Sequence, residues 1–304
     1  MKILLATDAS DDANAAVEFL LQFPFPEQCS ITLLTVIDAH VFVDTDMVEL
    51  TSEQNEALHA TRNTVREEAE QYLASQAARV ARDGWAVETM VRSGDVAEEI
   101  IMAAEELGVD LAMVGSHGQS AFRQFLLGSV STKVLEYAPC SVLIVKGTAL
   151  EQGPAGATMP AGNMRVLLAY DDSAPARKAV SLCTSLPFDE QDEIVVVTVL
   201  TTITAYRQDM RQYINPIWQQ KKIAARTALE GAVETLRDSV PNTSSMLREG
   251  TNSAHEIIEA AAESGSNLVM LGSKGKKALQ RFLLGSMTSH VARHAPCSVW
   301  VVRD

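Results

Sequence analysis

Gly115-Ser116-His117-Gly118 is followed, after nine further residues, by Gly128-Ser129-Val130-Ser131. The same pattern returns later in the chain as Gly272-Ser273-Lys274-Gly275 and, again after nine residues, Gly285-Ser286-Met287-Thr288. An apolar run precedes each copy, at residues 111–114 and 268–271, and a helix-like segment follows each copy. We interpret each copy as a buried strand that ends in a glycine-rich loop and leads into a helix.

A glycine-rich loop ahead of a helix has the chemistry to hold an anion. Glycine has no Cβ to keep a ligand from the backbone, and the helix start offers unpaired N–H groups and the positive end of its dipole. Phosphate is the usual ligand there, and Ser129 and Ser131 would add hydroxyl donors. Alternatively, Gly115 and Gly118 only shape a turn while the two serines cap a helix. Identical spacing in two copies favours the ligand, although duplication would also copy a structural turn.

The duplication extends over nearly all of the 304 residues. The two copies lie 157 residues apart both at the glycine loops and at the cysteines of a repeated phrase, Ala-Pro-Cys-Ser-Val. We therefore expect two domains of ordinary size, residues 1–147 and 164–304. Residues 148–163, rich in Gly, Ala and Pro, are expected to be a linker.

Each half alternates apolar strands with helical segments. The strands are predicted at residues 3–7, 31–37, 86–91, 111–114 and 141–145, and at 166–170, 194–200, 244–247, 268–271 and 298–302. A long helix is predicted at residues 49–83, ended by Gly84, with a counterpart at 218–237. Such alternation predicts a parallel sheet with helices on both faces and right-handed crossovers. Ligands of such sheets bind beyond the carboxyl ends of the strands, where this pattern puts Asp8, Val36 and Gly115.

Composition argues against several classes of function. The formal net charge of −14 argues against non-specific binding to nucleic acid or to anionic membranes, and no apolar run is long enough to span a bilayer. The first residues read as a strand and not as a signal peptide. The four cysteines form no CxxC pair, so we expect buried, reduced thiols in a cytoplasmic protein. No His, Cys or Asp cluster has the spacing of metal ligands.

The glycine pattern, together with Asp8 at the end of the first strand, resembles the universal stress protein family, and it does so in both halves. The resemblance implies, for each half, a five-stranded parallel sheet of order 3-2-1-4-5, similar to the adenine nucleotide alpha hydrolases. It also implies pairing of two such units through their last strands, either within one chain or in a homodimer. Because family members with this glycine motif typically bind ATP, the implied ligand is an adenine nucleotide, ATP with Mg²⁺.

The resemblance also implies which residues hold the nucleotide. Asp8 would accept hydrogen bonds from the ribose hydroxyls, and His117 lies within the loop that would face the phosphates. In the first half, the implied binding residues are Ala6, Thr7, Asp8, Val36, Gly115, His117, Gly118, Gly128, Ser129, Val130 and Ser131. In the second half, they are Ala169, Tyr170, Asp171, Val199, Gly272, Lys274, Gly275, Gly285, Ser286, Met287 and Thr288.

The two halves depart from each other at three points. Tyr170 stands where the first half has Thr7, and Met287 where it has Val130. The second loop is also the more basic, with Lys274, Lys276, Lys277 and Arg281 against Arg123 and His117 in the first. Additional cations suit phosphates, although lysines on surface loops are more often simply solvated.

Three functions are compatible with these residues. The first is an ATP-binding regulatory protein of the stress response with little or no turnover, which motif and predicted fold both support. The second is a slow ATPase, which would need a base or water-orienting group near the γ-phosphate. Only Asp8, Asp171 and His117 are candidates for that role, and none is compelling, so no catalytic residue is assigned. The third is a partner-binding module with vestigial nucleotide loops.

Overall fold

The computed structural model of the chain describes residues 1–39, 51–118, 127–147, 163–202, 208–274 and 284–303, with side chains described in helix 208–237 only from residue 216 onward. It divides into two compact units, Met1–Thr148 and Ala149–Asp304. Apart from residue 163, the predicted linker lies outside the described residues.

The first unit is a parallel five-stranded sheet with four helices. Its elements are β1 (Lys2–Ala6), α1 (Asp11–Gln22), β2 (Cys29–Asp38), α2 (Ser52–Val80), β3 (Trp85–Gly94), α3 (Val96–Leu107), β4 (Leu111–Gly115), α4 (Ser129–Tyr137) and β5 (Ser141–Val145). The strands pair in the order β3-β2-β1-β4-β5. The predicted 3-2-1-4-5 order is confirmed.

The second unit repeats this arrangement. Its elements are β6 (Arg165–Ala169), α5 (Ala174–Ser185), β7 (Glu193–Thr201), α6 (Gln208–Arg237), β8 (Thr243–Gly250), α7 (Ser253–Glu263), β9 (Leu268–Gly272), α8 (Ser286–His294) and β10 (Ser298–Val302). The parallel order is β8-β7-β6-β9-β10. The α/β class with helices on both faces is confirmed for both units.

Helices cover both faces of each sheet, which explains the uninterrupted apolar strands. In the first unit α1 packs on α2, and α3 packs on α4. Right-handed crossovers place these two pairs on opposite faces, because the chain reverses direction across the sheet after β3. The central strand β1 therefore buries Ile3, Leu4 and Leu5 almost completely.

Three predicted boundaries of the long helices are wrong, the first because α2 begins at Ser52, after its cap Thr51, and not at residue 49. Helix α6 begins at Gln208, ten residues before the predicted start at 218, and it contains Pro216. Helix α2 ends with its cap at Ala81 and not at Gly84, because Val80 is the last residue that packs in the core. Gly84 instead takes φ +84° in the turn before β3, where a Cβ would lie 2.3 Å from the carbonyl oxygen of Glu27.

All four cysteines, Cys29, Cys140, Cys183 and Cys297, are buried free thiols, as predicted. Burial raises the pKa of Cys183 to about 12, so this thiol stays protonated. Within the described part of the chain, no helix combines the length and apolar character that crossing a membrane requires.

Candidate functional site

The carboxyl ends of β1 and β4 lie side by side, at the edge of the first sheet where its parallel strands end, and they bring Asp8 to the glycine loop. Strand β1 pairs with β2 on one side and with β4 on the other, which makes this edge the topological switch point. A Cβ placed on Gly118 would lie only 2.9 Å from Asp8 Oδ2. One carboxylate oxygen of Asp8 therefore lies directly against the loop.

The other oxygen of Asp8 organises the start of α1. Asp8 Oδ1 accepts a hydrogen bond from the Ser10 backbone N–H at 3.0 Å, and Ser10 Oγ caps the helix by accepting from Ala13 N at 3.2 Å. The same hydroxyl donates to the carbonyl oxygen of His117 at 3.3 Å. Ser10, and not Asp8, is thus the helix cap, and it ties the cap to the glycine loop.

The second unit repeats these bonds with different residues. Asp171 Oδ1 accepts from Ser173 N at 3.0 Å, and Ser173 Oγ accepts from Ala176 N and donates to the carbonyl oxygen of Lys274. Asp171 is exposed and Lys274 is half-buried. The expected counterpart residue Gly275 lies outside the described residues.

The backbone between strand and helix is left-handed at positions where neither half has a glycine. Ala9 has φ 62° and Asp172 has φ 60°, and they follow Asp8 and Asp171 directly. A side chain makes this conformation costly, so its occurrence at matched positions marks a geometry that both units retain. Sequence reasoning missed both residues, because it looked for unusual backbone geometry only at glycines.

The described loop glycines also have a packing role that the sequence did not predict. Of those that the structure describes, none has a left-handed φ. A Cβ on Gly115 would lie 2.8 Å from the Asp12 carbonyl carbon, and one on Gly272 would lie 2.8 Å from Pro175 Cβ. These two glycines let the starts of α1 and α5 pack closely on the ends of β4 and β9.

The helices that follow the glycine loops begin without a side-chain cap. Gly128 and Gly285 are the N-caps of α4 and α8, and no side-chain hydrogen bond caps either helix. Where the structure describes the residue before a helix, every other helix has a capping side chain: Ser10 for α1, Thr51 for α2, Asp95 for α3, Ser173 for α5 and Asn252 for α7. Neither first turn contains an acidic residue. The first N–H groups of α4 and α8 are therefore open to an anion.

The alternative that Ser129 and Ser131 cap the helix is wrong for this reason. Ser131 Oγ donates to the carbonyl oxygen of Gly115 at 2.6 Å, and Thr288 Oγ1 donates to that of Gly272 at 3.0 Å. Both hydroxyl side chains are buried. They hold the helix start against the end of the strand, whereas Ser129 stays exposed at the first helical position.

Gly128 and Gly285 close each loop onto itself. Their N–H groups donate to the carbonyl oxygens of Ser116 at 2.9 Å and of Ser273 at 3.0 Å. A Cβ on Gly128 would lie 3.1 Å from Ser116 O, and one on Gly285 would lie 3.3 Å from Ser273 O. The two ends of each loop are thus fixed, while residues 119–126 and 275–283, with Arg123, Lys276, Lys277 and Arg281, lie outside the described residues.

The residues expected beside adenine lie at the same edge. Val36 and Val199 are half-buried near the carboxyl ends of β2 and β7. The residue before each valine is a threonine that bonds to the neighbouring strand: Thr35 Oγ1 donates to Thr7 O at 2.9 Å, and Thr198 Oγ1 to Tyr170 O at 2.7 Å. Of the other two implied residues, Ala6 is half-buried and Ala169 is buried.

The difference between Thr7 and Tyr170 is compensated on the neighbouring long helix. Tyr72 of α2 reaches Thr7 in the first unit, with 2.8 Å between the two hydroxyl oxygens. Counting back from the buried residues Val80 and Leu236, the position of Tyr72 corresponds to Ala228 of α6. In the second unit, Tyr170 and Ala228 line the same groove. The tyrosine is therefore on the long helix in the first unit and at the strand end in the second. The sequence shows this exchange as a small and a large residue that swap places between the halves: Thr7 with Tyr72 in the first, and Tyr170 with Ala228 in the second.

Tyr170 lies in a groove between α5 and α6, on one face of the sheet. Its hydroxyl donates to Asp172 Oδ1 at 3.2 Å, and burial raises its pKa above the ordinary value. The groove has a volume of about 340 Å³ and is lined by Tyr170, Arg177, Val180, Ser181, Thr184, Thr227, Ala228, Gly231, Ala232 and Thr235. Helix α8 packs with α7 on the opposite face, so the Tyr170 side chain does not fill the space at the start of α8.

Comparison with known proteins agrees with this architecture. The sequence profile described as the universal stress protein family matches residues 1–146 and again residues 162–303. The chain belongs to the universal stress protein family.

Relatives match either the whole chain or half of it. A universal stress protein of Mycolicibacterium smegmatis is 30% identical over 308 residues, which cover 99% of this chain and 96% of that protein. Universal stress protein YxiE of Bacillus subtilis is 32% identical over 145 residues, which cover 48% of this chain and 98% of that protein. A two-unit universal stress protein is therefore similar along the full length, and a shorter one is similar to one half.

A solved structure shows the same fold. The crystal structure of a universal stress protein from Archaeoglobus fulgidus matches with a TM-score of 0.60 and 23% sequence identity. The match covers 99% of this chain and 96% of that chain.

Proposed function

We propose that each half of this universal stress protein binds ATP with Mg²⁺, and that the chain is a nucleotide-dependent regulatory module with little or no turnover. The observation that carries the proposal is the uncapped start of α4 and α8, directly after the two glycine loops. Every other helix start with a described preceding residue is closed by a side chain. A phosphate would supply the acceptors that these two helix starts lack.

The described residues suit the parts of the nucleotide in turn. The phosphates would lie on the N–H groups of residues 129–131, next to Gly128, where a side chain would interfere. Asp8 Oδ2, beside Gly118, would accept from the ribose hydroxyls. Val36 would contact the adenine ring. Among the described residues, no three His, Cys, Asp or Glu side chains come together as metal ligands, so Mg²⁺ would be held mainly through the phosphates.

Little turnover is proposed because the candidate bases already have structural bonds. Asp8 Oδ1 holds the Ser10 backbone N–H, and His117 Nδ1 lies 3.1 Å from Asp12 Oδ2. Hydrolysis needs a group that orients water in line with the γ-phosphate. A slow ATPase remains the second candidate function, because the second nitrogen of His117 lies in the same loop.

The glycine at each helix start gives the direct test. Gly128→Val would place a side chain against Ser116 O and over the first N–H groups of α4, so it should abolish binding in the first half. Gly285→Val should do the same in the second half. Calorimetric titration with ATP and Mg²⁺ should give two sites for the unaltered chain, one for each single variant and none for the double variant.

One control and one milder variant accompany this test. Gly231→Ala adds a methyl group where no atom lies within 4 Å, and it should leave both sites intact. Ser129→Ala should weaken the first site by about 1 kcal/mol, because it removes one hydroxyl among several donors. If the double variant is folded by circular dichroism and still binds two nucleotides tightly, the phosphates do not lie in these loops.

A further inference from the structure

A buried carboxylate supports the first glycine loop, and the second unit has no counterpart to it. Asp12, in the first turn of α1, is only 7% exposed. Its Oδ2 accepts from Ser116 Oγ and from the His117 backbone N–H at 2.9 Å, and its Oδ1 accepts from Gly147 N at 3.2 Å. One side chain thus connects the helix, the loop and the residues that follow β5.

Asp12 also fixes the ring of His117. The distance from His117 Nδ1 to Asp12 Oδ2 is 3.1 Å. Ser116 Oγ also lies 3.0 Å from Nδ1, but this hydroxyl donates its hydrogen to Asp12 Oδ2. Because the carboxylate only accepts hydrogen bonds, Nδ1 carries its own hydrogen, and the ring gains or loses a proton at Nε2. The neutral ring brings no charge to the glycine loop, whereas the protonated ring adds a positive charge to the loop that would face the phosphates.

The second unit has a permanent charge at the equivalent position. Lys274 corresponds to His117 and Pro175 corresponds to Asp12, as the matched contacts of Ser10 and Ser173 with the two loops show. Proline has no carboxylate to offer. A lysine ammonium stays charged throughout the range in which histidine generally changes charge.

We propose that Asp12 is a positioning residue of the first site, which holds His117 with its exchangeable proton at Nε2 and makes nucleotide binding in the first half stronger when that ring is protonated. The second half, with Lys274, binds with an affinity that does not follow this proton. The proposal rests on the proposed function, since the ligand in question is a nucleotide phosphate.

The charged groups around His117 determine how much its protonation changes the binding of an anion in the loop. Asp12 on α1 faces the ring, and Asp8 at the end of β1 lies against Gly118 in the same loop. Lys146 precedes Gly147 after β5, and on α4 the ammonium of Lys133 pairs with Asp95, the N-cap of the neighbouring helix α3. Two carboxylates therefore surround the loop where an anion would bind, and the imidazolium offsets them.

The main test compares the two sites across pH in the full-length chain. ATP affinity is measured between about pH 5.5 and pH 8, with Gly285→Val reporting the first site and Gly128→Val the second. A charge-assisted hydrogen bond predicts that the first site gains about tenfold on acidification relative to the second. Protonation of ATP itself affects both sites alike, so the second site serves as the internal reference.

Substitutions of His117 assign the effect to this ring. His117→Lys should keep the acid affinity at every pH, and His117→Gln should keep the weaker affinity of the neutral ring at every pH. Equal pH dependence at both sites, or an undiminished dependence in His117→Gln, would overturn the proposal.

A measurement without nucleotide tests the role of Asp12 separately. In ¹⁵N-histidine NMR spectra above the titration range, His117 should be the Nδ1–H tautomer in the unaltered chain. Asp12→Asn can present an amide donor to that nitrogen, so the tautomer should shift and the pH dependence of the first site should change with it. An Nε2–H tautomer in the unaltered chain would refute the positioning role. If ATP binds neither site at any pH while the Nδ1–H tautomer is found, the proposed function is refuted, whereas the orientation of His117 by Asp12 is confirmed.

Discussion

One residue in each unit has an unfavourable backbone conformation beside the candidate site. Ala9 holds a left-handed backbone at φ 62° between Asp8 and Ser10. For a residue with a Cβ, this conformation costs about 1–2 kcal/mol. We expect Ala9→Gly to stabilise the first unit by about 1 kcal/mol or less, since the relief of strain is partly offset by the greater freedom of glycine in the unfolded chain. Urea unfolding measures the change.

The matched position in the second unit provides the control for this prediction. Asp172 has φ 60°, but its carboxylate pairs with Arg177 Nη1 at 2.9 Å and accepts from Tyr170. Asp172→Gly would lose those contacts, so it should gain less stability than Ala9→Gly or should lose stability. A clear destabilisation by Ala9→Gly would contradict the left-handed backbone at this residue.

The same residues show what sequence could and could not predict about the site. Spacing identified Asp8, Gly118 and Gly128, because a duplicated pattern reports positions directly. It did not predict the packing role of Gly115, since the clash that a Cβ would make there depends on how closely α1 packs. Asp12 was missed altogether, because its partners Ser116 and Gly147 are far away in the sequence.

At the level of elements, the start of α3 shows how a capped helix differs from the open starts of α4 and α8. Asp95 Oδ1 accepts from the N–H groups of Ala97 and Glu98. The backbone N–H of Glu98, together with Lys133, holds the pKa of Asp95 below its ordinary value. We expect Asp95→Ala to destabilise the chain by about 1 kcal/mol at neutral pH.

The pH dependence of this cap has a definite sign. Because the pKa of Asp95 is lower in the folded state, its charged contribution is complete above the unfolded value of about 4 and is lost as the pH falls further. The stability difference between the unaltered chain and Asp95→Ala should therefore shrink in acid. Asp95→Asn imitates Asn252 of α7 and should differ from Asp95→Ala by the same amount at every pH. A difference between the unaltered chain and Asp95→Ala that stays constant into acid would contradict the charged cap.

Strands were predicted closely, and long helices were not. The bounds of β5 and β10 agree with the prediction, because apolar strands between turn residues leave little freedom. Helix α6 continues on the N-terminal side of Pro216, although local propensity disfavours a proline inside a helix. The exchange of Tyr72 for Tyr170 involves a strand end and a helix far along the chain, and only the folded unit brings them together.

For the whole molecule, pairing of the two units through their last strands stays a prediction from the family resemblance. Within its own sheet, β5 follows β4 and β10 follows β9, and both last strands are short and apolar. A strand edge of this kind favours pairing. Residues 1–147 and 164–304, produced as separate chains, should therefore associate one to one in analytical ultracentrifugation. Two folded halves that stay monomeric together at high concentration would count against pairing.

The rate of ATP hydrolysis by the whole chain distinguishes a regulatory module from an enzyme. Asp8 and Asp171 each hold a backbone N–H at the start of a helix, and His117 is fixed by Asp12, so no described residue is committed to activating water. We expect fewer than about one turnover per second, the low end of ordinary enzyme rates. Phosphate release is measured with saturating ATP and Mg²⁺, and Gly128→Val with Gly285→Val gives the background of any contaminating activity. Rapid release that disappears in Asp8→Ala, while that variant still binds nucleotide, would make the protein an ATPase and assign Asp8 a catalytic role.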